Sequence, residues 1–197
     1  MLVSGVTSMA LEMAAARLLA PFFGTSLYIW GILIGLILVY LTAGYSLGGR
    51  IADSAPRPNV FFGLNALAAL AVALDGLLAT PVLGGSLSAT ENLPYGLYAG
   101  ALAGCLALFA VPVIMLGCVN PFAIRLRVAG VQQAGQASGT VFALTTIGSL
   151  IGTFGAVFWL IPSVGTRVTL YAAAGLLLVC AAAGWMLQPK HSELRTA

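Results

Sequence analysis

Six stretches of mostly apolar residues, separated by short polar breaks, run along the chain. They extend from Leu2 to Leu19, Leu27 to Leu47, Val60 to Thr80, about Pro94 to Val119, about Ser138 to Ile161, and about Val168 to Leu187. A helix needs roughly 20 apolar residues to cross bilayer hydrocarbon, and each stretch comes close to that length. Aromatic residues mark several ends: Tyr28, Trp30 and Tyr45 on the second stretch, Tyr95 and Tyr98 on the fourth, Trp159 on the fifth, and Tyr171 and Trp185 on the sixth. Amphipathic rings gather where hydrocarbon meets water, so this placement supports spanning helices. The pattern predicts an all-α polytopic bundle over residues 1–188 with a short polar tail over 189–197. Pro112 is expected to kink the fourth helix.

Composition strengthens that reading. The 197 residues are 60% hydrophobic and 7% charged, with a mean hydropathy of +1.05. Soluble domains carry about a quarter charged residues, so no water-soluble surface can be built from this chain. The first stretch ends near small residues, Ala14 to Ala16, as a signal peptide would, but it lacks the basic n-region of one.

Net charge is +3, and the arginines occupy the breaks rather than forming a basic run, which argues against nucleic acid as a partner. Their distribution instead sets direction. Arg50 and Arg57 follow the second stretch, Arg125 and Arg127 follow the fourth, and Lys190 and Arg195 lie in the tail, whereas the alternate side carries only Arg167. Cytoplasmic loops are enriched in Lys and Arg, so both termini are expected in the cytoplasm and the protein in the inner (plasma) membrane. Cys105, Cys118 and Cys180 sit inside apolar stretches without the spacing of a metal site or redox pair, and read as packing residues. No metal or cofactor is expected.

Charges inside the stretches are the candidate chemistry, because an ionisable group in hydrocarbon is costly unless partnered or used. Glu12 and Arg17 lie in the first stretch, Asn65 and Asp75 in the third. Five residues apart on a helix, Glu12 and Arg17 point some 140° away from each other at about 100° per residue. Counted along parallel helices at about 1.5 Å per residue, Arg17 and Asp75 both reach a depth of about 22 Å. They are expected to form a structural pair, leaving Glu12 as the ligand or proton site, with Asp75 and Asn65 as further binding candidates.

Gly148 and Gly152 lie one turn apart beside Thr145, Ser149 and Thr153, and should let another helix backbone approach closely. Gly31 with Gly35, Gly44 with Gly48, and Gly100 with Gly104 repeat the spacing.

The segment Gly44-Tyr45-Ser46-Leu47-Gly48-Gly49-Arg50-Ile51-Ala52-Asp53 resembles the loop signature between the second and third helices of major facilitator superfamily transporters. That resemblance implies a tight turn at Gly44, Gly48 and Gly49, and charges at Arg50 and Asp53 that tie helix ends together. A longer set of blocks comprises Leu11-Glu12, Arg17 through Ser26 with Trp30, Leu116-Gly117, Pro121 through Leu126, Gly148-Ser149, Gly152 through Phe154, Leu160 through Pro162, and Gly165. Together these resemble the membrane domain of membrane-bound spermidine synthase-like proteins.

The second resemblance implies a half bundle of the major facilitator type beside an aminopropyltransferase. The acids needed to hold polyamine ammonium groups in such an enzyme are missing, since the only acids are Glu12, Asp53, Asp75, Glu91 and Glu193. The expected function is therefore a non-catalytic membrane module that docks a cytosolic aminopropyltransferase-like protein through Arg50, Arg57, Arg125 and Arg127. A transporter of polyamines or other small organic cations, built as a dimer of six-helix halves, is the alternative. An accessory subunit of a larger membrane complex is the third reading.

Overall fold

The computed structural model describes residues 1–128 and 134–187, so the tail predicted over 189–197, with Lys190 and Arg195, lies outside the described residues. Six helices are long and apolar enough to cross a membrane: α1 (Leu2–Phe23), α2 (Leu27–Ser54), α3 (Pro58–Thr90), α4 (Gly96–Arg127), α5 (Ala134–Val164) and α6 (Thr166–Met186). No strand occurs among the described residues.

Local chemistry explains where these helices begin and end. Ser26 caps α2, its hydroxyl accepting from the Ile29 N–H at 3.4 Å. Pro58 opens α3 at a position where its missing N–H costs nothing. Gly24 (φ 76°) and Gly165 (φ 86°) terminate α1 and α5 in backbone conformations that residues with a Cβ rarely adopt. Near its end α5 contains one π-helical turn, Ala156–Leu160.

Most helices run beyond the apolar stretches. The Gly- and Ser-rich segment after Thr80 continues α3 rather than forming a connection. Its hydroxyls are satisfied by their own helix: Ser86 donates to the Leu83 carbonyl, Ser88 to Gly84 and Thr90 to Ser86, at 2.9–3.0 Å. Gly84 meanwhile faces the ring of Phe22 on α1. At the other end of the bundle, α2 continues through Gly48 and Gly49 to Ser54, so these glycines do not turn the chain. They are helix-interior residues, and α4 likewise runs unbroken through Pro112 and Pro121.

Except for α3 and α4, helices that are neighbours in sequence are not the main neighbours in space. α2 packs on α4 rather than on α3, α4 also packs on α3, α3 on α6, and α1 on α5 and α6. Exchanging the first three helices with the last three reproduces the major contacts: α2 with α4 mirrors α5 with α1, and α3 with α4 mirrors α6 with α1.

Both corresponding seams are built from glycine. A Cβ on Gly44 would lie 2.9 Å from the Gly117 Cα, and one on Gly48 would lie 2.5 Å from the Cys118 Cα. In the α1–α5 seam, a Cβ on Gly148 would lie 2.9 Å from the Leu2 carbonyl carbon, and one on Gly152 would lie 2.9 Å from the Val6 Cα. Small residues thus bring backbones together where lipid supplies no hydrophobic drive. A Cβ added at Gly31 or Gly35, read as another such face, would meet nothing within 4 Å among the described residues.

The interior is filled by Leu11, Leu19, Leu83, Phe109, Phe122 and Leu170, all essentially inaccessible. Outward, α5 displays Phe154, Phe158 and Trp159, and α2 displays Leu27, Leu38 and Val39. An apolar outer surface over a close-packed interior suits hydrocarbon as the surrounding solvent.

Candidate functional site

The polar residues that the fold gathers most closely lie around Glu12. On α1, Ser4, Ser8 and Glu12 recur every four residues and so form one stripe. The stripe lines a cavity of about 100 Å³ together with Tyr45 from α2, Asn120 from α4, and Thr145 and Ser149 from α5. Glu12 Oε1 is buried and has no hydrogen-bond partner among the described residues. The single proton of Thr145 Oγ1 is shared between Asn120 Oδ1 at 3.0 Å, on the facing wall of the cavity, and the Val141 carbonyl of its own helix at 2.9 Å.

The glycine seams make this geometry. Close approach at Gly44 and Gly117 brings Tyr45 and Asn120 to the cavity, and close approach at Gly148 brings Thr145 and Ser149 beside the start of α1. Among the described residues the lining thus holds one carboxylate, four hydroxyl groups and a carboxamide besides Ser4, with no arginine or lysine. An ionised carboxylate there accepts hydrogen bonds only, so it calls for a proton, a donor or a cation. The volume holds about three waters at roughly 30 Å³ each, or one ammonium head with its immediate partners.

The other sequence candidates fall elsewhere. Asn65 is buried on α3 and its amide donates to the Phe61 carbonyl at 2.8 Å, while its side lines a separate cavity with Met1, Ser4 and Cys180. Asp75 is 3% exposed, and its Oδ2 has no hydrogen-bond partner among the described residues. Its neighbour Gly76 lies against the ring of Tyr171 on α6.

The expected pairing of Arg17 with Asp75 does not form. Among the described residues the one ion pair within 4.0 Å is Arg125 with Asp53, and Arg17 is exposed at the far end of the bundle. The offset between the helices is the cause. Met1–Ser4 shares a cavity with Phe61, Phe62 and Asn65, and Arg17–Phe22 shares one with Ala79 and Thr80. By these shared cavities Arg17 lies about two residues, roughly 3 Å, beyond the level of Asp75, and it is exposed where Asp75 is buried.

At the opposite end, Arg125 Nε donates to Asp53 Oδ1 at 3.0 Å, joining the ends of α2 and α4. Asp53 thus joins the ends of two helices through Arg125 rather than Arg50, and the glycines before it do not turn the chain. Arg50, Arg57 and Arg127 are exposed at the same end.

Sequence reading missed Tyr45 and Asn120 as site residues and assigned Thr145 and Ser149 to packing alone. The four-residue recurrence of Ser4, Ser8 and Glu12 was the signal present. Which faces of α2, α4 and α5 complete the cavity depends on the lateral order of the helices. No family model, curated protein or solved structure matches the chain.

Proposed function

We propose that this chain is a non-catalytic, multi-pass membrane protein that binds the ammonium group of a small organic cation at Glu12. In this reading it supplies half of a transporter-like assembly, completed by a second copy. The observation that carries the proposal is the unpartnered Glu12 oxygen in a polar cavity lined by four helices. Buried polar groups are nearly always hydrogen-bonded, and intramembrane acids mark ion and substrate paths more often than they serve packing. The near-symmetric packing of α1–α3 and α4–α6 supports a transporter-like half bundle, since such repeats place their sites at the repeat interface. The resemblance to spermidine synthase-like membrane domains favours polyamines as the cation class.

Reconstituted vesicles test this reading. Uptake of labelled putrescine or spermidine, lost in Glu12→Gln and kept in Asn65→Ala, would support it. Vesicles that take up neither polyamine above protein-free controls, from protein shown to be folded, would count against transport.

A second reading has its own observation: Arg50, Arg57 and Arg127 are exposed at the end that Asp53–Arg125 closes. A basic face there suits docking of a cytosolic aminopropyltransferase-like protein, with both termini and this face in the cytoplasm. Affinity purification from native membranes distinguishes the two, because docking requires recovery of a soluble partner that is lost on replacing these arginines.

A further inference from the structure

At the end of the bundle away from Asp53–Arg125, a cavity of about 460 Å³ opens between α1, α3 and the corner joining α5 to α6. Arg17 enters it from α1 and Arg167 from the first turn of α6. The corner turns at Gly165, whose φ of 86° lets α6 start immediately after α5 stops, and this carries Arg167 back toward α3. There Arg167 Nη2 donates to the hydroxyl of Thr80, which fixes the guanidinium on the cavity wall. Neither arginine has a carboxylate within 4.0 Å among the described residues. The remaining wall is largely apolar, with Leu18, Phe22 and Val168.

Two guanidinium groups sharing one cavity without an acid repel each other, and an anion between them reverses the sign of that interaction. The planar fork of arginine matches the oxygens of a phosphate, and two forks from different helices can grip one from two sides. Depth narrows the choice. α1 ends at Phe23, so the Arg17 backbone sits about 9 Å inside that end at 1.5 Å per residue, a depth from which the long side chain carries its guanidinium up toward the lipid headgroups.

We propose that the Arg17–Arg167 cavity binds a phosphate group, and its apolar walls favour one carried on an anionic lipid over free phosphate. The site is independent of the Glu12 cavity, which lies among other helix faces. It requires only that the helices span a bilayer.

Native mass spectrometry of the full chain released from nanodiscs provides the test. Protein from discs mixing phosphatidylglycerol with phosphatidylcholine should retain phosphatidylglycerol preferentially, and Arg17→Gln/Arg167→Gln should lose at least ten-fold of that retention. Arg50→Gln/Arg57→Gln, which removes the same charge at the other end, should keep it. If the double variant at the cavity proves unstable, Arg167→Lys serves instead, retaining charge while losing the fork, and should show a partial loss. A parallel titration of delipidated protein with inorganic phosphate separates the sources. A rise in melting temperature in wild type but not in the Arg17/Arg167 variant, without preferential lipid retention, would assign the site to free phosphate. Equal lipid retention and equal phosphate response in wild type and the cavity variants would overturn the proposal.

Discussion

Thr145 on α5 shares its hydroxyl proton between the side-chain oxygen of Asn120 on α4, 3.0 Å away across the cavity that contains Glu12, and the Val141 carbonyl at 2.9 Å. With its oxygen engaged, Asn120 has its NH2 group left to offer. The bond also links helices that otherwise touch only lightly. Interhelical hydrogen bonds in membrane proteins are worth about 0.6 kcal/mol on average. Thr145→Val and Asn120→Ala should therefore each destabilise modestly, and the double variant should be less damaged than their sum. Thermal unfolding in detergent measures the coupling, and strict additivity would show that the bond contributes nothing.

The Gly148–Gly152 face predicts a larger effect. Both positions meet the backbone of α1, which cannot move aside as a flexible side chain would. Gly148→Ile or Gly152→Ile should overpack the seam by about 1–3 kcal/mol or separate α5 from α1. Gly155→Ile, where nothing lies within 4 Å, is the matched control and should be near neutral. Equal melting temperatures for Gly148→Ile and Gly155→Ile would contradict the seam.

Charge reversal at Arg17 and Asp75 should not be mutually compensating. Asp75 is buried and Arg17 exposed about two residues farther along, so Asp75→Arg should impair folding whether or not Arg17→Asp accompanies it. Expression and thermal stability of both single variants and the double swap check this. Rescue in the double swap would restore the ion pair that helix counting suggested.

Orientation follows from the arginine asymmetry and is open to direct measurement. Reporter fusions after Arg57 and Arg127 should behave as cytoplasmic and one near Glu91 as external. The reverse pattern would place the Arg17–Arg167 cavity on the cytoplasmic side.

Apolar stretches announced the number of helices because hydrocarbon tolerates few other residues for that length. Their ends were less legible: Gly84, Gly85 and Ser86 look like a connection, yet α3 continues because its hydroxyls bond back to the helix and Phe22 packs over Gly84. Glu12 stood out as a charge with no reason to be in an apolar helix. Its partners did not, because Tyr45 resembles an interfacial anchor and Asn120 a helix end until α2 is known to pack on α4. Vertical position suffered similarly. Residue counting presumed that Leu2 and Val60 lie level, whereas the shared cavities shift α1 by about two residues and leave Arg17 exposed beyond Asp75.

If Glu12 holds an organic ammonium group within the bundle, labelled putrescine should bind purified, folded protein at equilibrium. Wild type should bind saturably and Glu12→Gln should lose at least ten-fold in affinity, the scale of one charge-assisted hydrogen bond of about 1.5–3 kcal/mol. Asn65→Ala should bind as wild type does, because Asn65 lines a different cavity. Binding by Glu12→Gln that matches wild type would contradict the account.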